Sequence, residues 1–203
     1  MDINFFKETR ILDGGMGQEL LARGMKPNGT LWSANAILNS DYHKLLEDTH
    51  KDFVRAGAEV IVTTTFTTRR KRLRDNNIED KFEYLNKKAG EIAVNVKKEF
   101  PNIKIAGGLP PQHLTYEEDK RSENEIITDF NEQAKLLDEY VDFYYFDVWS
   151  SIKEFKCGIK AISPAFLLRY SNLSSILFSL SLFLLVVKVV VTITSAPAFT
   201  KSL

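Results

Sequence analysis

The stretch HKDFVRAGAEVIVTTTF, residues 50–66, changes its period halfway along. Up to Ala56 it completes a helical pattern predicted over 41–56, with Leu45, Leu46, Thr49, Phe53 and Val54 on one face. Gly57 then offers the left-handed conformation that ends helices. From 59 to 66 the run is β-branched and reads as a strand. A helix that passes through one glycine into a strand is the joint from which α/β folds are built.

Working outward, the same alternation recurs. Before it, Ile11-Leu12-Asp13 reads as a first strand, joined to the helix by a polar connection. After it, Ile78, Phe82, Leu85, Ala89, Ile92 and Val96 fall at helical spacing, with Pro101 beyond the helix end. A third strand is predicted over 103–107. Its helix opens with Ser122 and Glu125 as a capping box and turns Ile126, Phe130, Ala134, Leu137 and Val141 inward. A bulky, aromatic fourth strand over 142–147 precedes another capping pair, Ser151 with Glu154, and a helix reaching Ile162. Four βα units in succession predict an α/β fold. They suit the N-terminal part of an eight-stranded (β/α)8 TIM barrel, with a doubly wound open sheet as the alternative. Half a barrel leaves exposed parallel edges, which predicts poor solubility or self-association.

The pattern stops there. After Ile162 the charged residues are Arg169, Lys188 and Lys201 alone, and 173–194 is almost wholly apolar. The division expected is therefore 1–162, a partial barrel, and 163–203, an apolar tail. Three readings of the tail compete: a membrane anchor through 173–194, a pair of buried strands, and a non-native end produced by a frameshift. Lys188 would cost an anchor about 2.5–3.5 kcal/mol at mid-membrane unless it snorkels from an off-centre position.

Composition narrows the function. The chain has 203 residues, 44% of them hydrophobic, and 27 basic residues balance 27 acidic ones, so no global field draws it to nucleic acid. The N-terminal MDINFFKETR lacks the pattern of a secretory signal, which makes a cytoplasmic location the default expectation. Cys157 is the one cysteine, which excludes an internal disulfide and a multi-cysteine metal site within the chain. Its position in the fourth helix predicts small apolar packing. His43, His50 and His113 show no ligand spacing and read as ordinary polar or helix residues. The basic run Arg69, Arg70, Lys71, Arg72 and Arg74 reads as a solvated face.

In either architecture ligands bind where strands run into loops. Those ends carry Asp13-Gly14-Gly15-Met16-Gly17, Thr63-Thr64-Thr65-Phe66, Gly107-Gly108-Leu109-Pro110 and Asp147. Glycines admit a ligand close to the backbone, and carboxylates take an ammonium by charge-assisted hydrogen bonds, so an amino acid fits. The equal alternative is that the aspartates cap loops and the glycines serve tight turns. DGGMG has neither a Walker ending nor a GxGxxG spacing, and no nucleotide is implied.

Taken together, ILDGGMGQELLARG, LWSANAIL, HKDFVRAGAEVIVTTTF, IAGGLPP and YYFDVWSSIKEFKCGIKAI resemble the homocysteine S-methyltransferase family over about residues 8 to 162. The resemblance implies a TIM barrel that transfers a methyl group to homocysteine, making methionine, from S-methylmethionine, S-adenosylmethionine or betaine. By position it implies a substrate site of Asp13, Gly14, Gly15, Thr64, Phe66, Gly107, Gly108 and Asp147, with both aspartates near the homocysteine amino group. Asp147 stands where many members have glutamate, and Thr64 where asparagine is common. The resemblance also implies a zinc ion that holds the sulfur as thiolate on three cysteines, one after a later strand and two in a Gly-Gly-Cys-Cys motif. This chain has neither motif, so no metal ligand and no catalytic residue is assigned. The expectation is a family-like but incomplete and inactive chain, with a membrane-anchored, non-catalytic binding module as the alternative.

Overall fold

The computed structural model describes residues 3–149 and 151–169. The apolar stretch 173–194 and most of the predicted tail lie outside the described residues. Three strands, β1 (Val60–Val62), β2 (Lys104–Leu109) and β3 (Phe143–Phe146), form one parallel sheet in the order β1-β2-β3. Val60 stands opposite Lys104, and Ala106 opposite Phe143. The predicted first strand contributes a single parallel bridge, Leu12 to Val60, on the free side of β1. Spatial order thus follows chain order throughout the described strands. A doubly wound sheet would reverse its order, and no reversal occurs among them.

The helices are α1 (Met16–Ala22), α2 (Asn35–Leu38), α3 (His43–Arg55), α4 (Arg70–Asp75), α5 (Phe82–Glu99), α6 (Glu123–Leu137) and α7 (Ile152–Arg169). Helix α3 ends as Gly57 predicts. Gly57 has φ +110°, its N–H donates to Val54 O, and the Ala58 N–H donates to Phe53 O, which together form a Schellman motif. Helix α6 opens with the predicted capping box between Ser122 and Glu125. Its inward residues Ile126, Phe130, Ala134 and Leu137 join Ile105, Leu109, Phe146 and Cys157 in the main core. A second cluster of Leu20, Leu31, Ile37, Leu46, Leu73 and Leu85 packs the N-terminal helices against α5.

Four local expectations are corrected. Residues 11–13 form a bridge instead of a strand, because their described backbone pairing is confined to β1. The strand predicted over 59–66 stops at Val62, and the threonines beyond it pair through their side chains. Gly108 N–H donates to Thr63 Oγ1 at 2.9 Å, and Thr65 Oγ1 donates to Gly108 O at 2.6 Å. Hydroxyls replace the ladder there, and β-propensity cannot tell the two apart. The capping pair at Ser151 is half formed. Ser151 Oγ accepts from Glu154 N–H at 3.4 Å, but the Glu154 carboxylate is fully buried and, among the described residues, neither oxygen has a side-chain hydrogen-bond partner. Finally, Arg69 does not belong to a solvated face. It is 1% exposed and donates to Phe66 O, His113 O and Thr115 Oγ1, tying the loops after β1 and β2 together.

Candidate functional site

The C-terminal ends of the strands converge on a cavity of about 320 Å³. Asp13 enters it from the bridge beside β1. Its backbone N–H donates to Val60 O at 2.9 Å and its Oδ2 accepts from Val62 N–H at 3.0 Å, so the carboxylate is pinned from two sides. The side chain is 5% exposed. Asp147 enters from the end of β3, where its N–H donates to Leu109 O at 3.1 Å. Gly14, Gly15, Thr64 and Phe66, also predicted, line the same space.

Gly107 and Gly108 do not line it. They lie inside β2, and a Cβ on Gly108 would stand 3.0 Å from Val62 Cγ1 and 3.1 Å from Thr63 O. Glycine there lets the threonine turn close on the strand, which is how Thr64 comes to face the cavity.

The electrostatics of the cavity are one-sided. Among the described residues its lining holds two carboxylates and no Lys, Arg or His. Burial, reinforced by Asp13, pushes the Asp147 carboxyl up to about 6. Burial with the charges of Asp147 and Asp13 pushes the Tyr145 phenol up to about 12. A cation entering this space would restore the charge of Asp147, which is the behaviour of a site for an ammonium group.

Several lining residues were not legible as such. Tyr145 stands two residues before Asp147, on the same face of the chain end, and period-two reading back from Asp147 points to it. Trp32 and Val148 line the cavity with positive φ, 50° and 57°. A β-branched residue at positive φ is held there only by its surroundings, and such strain concentrates at functional sites. The Trp32 indole lies against Gly17, where any Cβ would collide with the ring.

His50 also departs from its reading as an ordinary helix residue. It is 1% exposed, its Nε2 lies 3.2 Å from Thr64 Oγ1, and its Nδ1 lies 3.5 Å from Asp13 Oδ2. Its signal was available: with Leu46, Thr49 and Phe53 it occupies the inward face of α3. His43, by contrast, contacts Ile37 O at 2.8 Å, away from the cavity.

The donor set does not fit a thiolate-bound zinc ion. No Cys or His lines the cavity, and Cys157 is buried in the main core, where burial raises its thiol. Among the described residues no group of three or more His, Cys, Asp or Glu is placed to hold a metal ion. No described helix is long and apolar enough to cross a membrane.

The comparisons with known proteins bear on the family and the fold. The family model for homocysteine S-methyltransferase matches residues 10–197, and the chain belongs to that family. The match runs past residue 162. Homocysteine S-methyltransferase 2 of Zea mays is 32% identical over 104 residues, 51% of this chain and 30% of that protein. Betaine–homocysteine S-methyltransferase 1 of Rattus norvegicus is 28% identical over 165 residues, 78% of this chain and 39% of that protein. The chain therefore spans well under half the length of these relatives. The metallated homocysteine methyltransferase MmuM of Escherichia coli superposes with a TM-score of 0.70 at 20% identity, over 80% of this chain and 62% of that one, and shows the α/β fold to be shared.

Proposed function

We propose that this chain performs the amino-acid recognition step of a homocysteine S-methyltransferase. The Leu12 bridge and the three described strands are the first four strand positions of a (β/α)8 TIM barrel, and the cavity at their ends receives homocysteine by its ammonium group. The observation that carries this reading is the pair Asp13 and Asp147, two carboxylates on one cavity with no cationic side chain among its described lining residues. Asp13 is the rigid member, fixed by Val62 N–H, and Asp147 the adjustable one, which takes or gives up a proton as the ammonium leaves or arrives. Gly15 leaves the backbone uncovered along one wall, Gly14 lets the Phe53 ring pack behind it, and Phe66 supplies an apolar surface for the carbon chain.

The methyl donor of the family reaction, S-methylmethionine, S-adenosylmethionine or betaine, belongs to this proposal by family membership. Zinc would supply thiolate activation in that reaction. The donor set of this chain does not fit the ion, and recognition without turnover is the activity proposed for the chain by itself.

Isothermal titration of the full chain with homocysteine tests this. Saturable binding that Asp13→Asn weakens is expected, with no methionine formed when a donor is added. Absence of binding, or methionine formation with stoichiometric zinc, would overturn the reading.

A further inference from the structure

Behind the cavity wall, His50 touches both a carboxylate and a hydroxyl that face the ligand space. Its ring is 1% exposed, and Nδ1 has no hydrogen-bond partner among the described residues. The atom it does approach is Asp13 Oδ2, at 3.5 Å, beyond the usual 2.7–3.2 Å range of an N–H···O bond. On the other side Nε2 lies 3.2 Å from Thr64 Oγ1. The two neighbours select a tautomer. A carboxylate only accepts, so the contact with Asp13 is attractive when the ring proton sits on Nδ1. Nε2 then carries a lone pair, and Thr64 must donate its hydroxyl proton to it. That turns the remaining lone pairs of Thr64 Oγ1 toward the cavity that Thr64 lines.

We infer that His50 is a positioning residue that sets the polarity of the ligand wall: by accepting the Thr64 hydroxyl hydrogen bond it leaves Thr64 an acceptor toward the cavity, beside Asp13, which accepts in any case. The inference rests on the amino-acid reading of the cavity. A wall of acceptors admits an ammonium and rejects a hydrogen-bond acceptor, so the ring governs selectivity for the amino group without touching the ligand. Reversing the tautomer would point the Thr64 proton outward and place a bare nitrogen against Asp13.

The test separates the amino group from the rest of the ligand. The full chain and its His50→Gln and His50→Phe variants are titrated with homocysteine and with 4-mercaptobutyrate, the same molecule without its amino group. The native chain is expected to prefer homocysteine. Both variants are expected to lose about tenfold of that preference, a neutral hydrogen bond's share, while binding of 4-mercaptobutyrate stays unchanged. Equal weakening toward both ligands would mean that the ring is merely structural, and an unchanged preference would also overturn the inference. The ring's 15N resonances in the native chain, identified by their loss in His50→Gln, give a readout that needs no ligand. A proton on Nδ1 and none on Nε2 is expected; a proton on Nε2 would overturn the positioning role. If the native chain binds neither thiol, the amino-acid reading fails, and the selectivity role fails with it, whichever nitrogen carries the proton.

Discussion

Two carboxylates in this protein are buried to similar effect and serve different ends. Asp147, at the end of β3, is pushed up to about 6 by burial and by Asp13. Glu154, in the first turn of α7, is pushed up to about 7 by burial and by Asp119, with Arg121 and Arg69 pulling the other way. Asp147 opens on a cavity of about 320 Å³, whereas Glu154 is fully buried and does not line it. A ligand can relieve the first and cannot reach the second. The contrast teaches that a displaced carboxyl marks a site only when there is room beside it for the group that would restore its charge.

The sharpest way to break the contrast is at Asp13. Asp13→Ala should weaken homocysteine binding on the order of 100-fold, as expected for truncating a buried charge partner. It should also cost stability of about 1–3 kcal/mol, because Val62 N–H loses its acceptor. Calorimetry and denaturant unfolding read the two effects separately.

Asp147→Asn should weaken binding about tenfold at pH 8 and remove a pH dependence. In the native chain Asp147 is charged above about 6 and neutral below, so affinity for the ammonium should fall as pH drops through that value. A titration series from pH 8 to about pH 5 checks both. A variant with the native pH profile would assign the dependence elsewhere.

Glu154→Gln should leave binding unchanged and raise stability. The folded chain holds the Glu154 proton up to about 7, while an unfolded glutamate releases it near 4.5. The native chain therefore loses stability as pH rises between those values. The variant should gain on the order of 1–2 kcal/mol at pH 8 and little at low pH, measured by thermal unfolding at both. A change in homocysteine affinity would show that the two regions are coupled. The smallest effect belongs to a position remote from both: Ser122→Ala removes the capping box of α6 and should cost about 1 kcal/mol in urea unfolding, with binding intact.

Legibility in the sequence followed the range of the forces involved. Helix α6, its cap and its inward face were readable because period, capping residues and apolar spacing are local properties of 122–137. The Gly57 stop was readable for the same reason. Asp13, Gly14, Gly15, Thr64, Phe66 and Asp147 were legible as strand-end residues and meet on one cavity. Glu154 misled because a capping box is a local motif, and long-range burial overrode it. Thr63–Thr65 misled because β-branched residues favour extended chain whether or not a ladder follows.

The alternation of helices with strands, the family, and the strand-end positions of the acidic and glycine-rich segments are all written in neighbouring residues. Only the tertiary structure decided that His50 stands between Asp13 and Thr64, that Arg69 is buried between two loops, and that Gly107 and Gly108 serve the sheet instead of the cavity. Those outcomes depend on contacts across 14 to 46 positions of chain, and the parallel pairing of distant strands creates them.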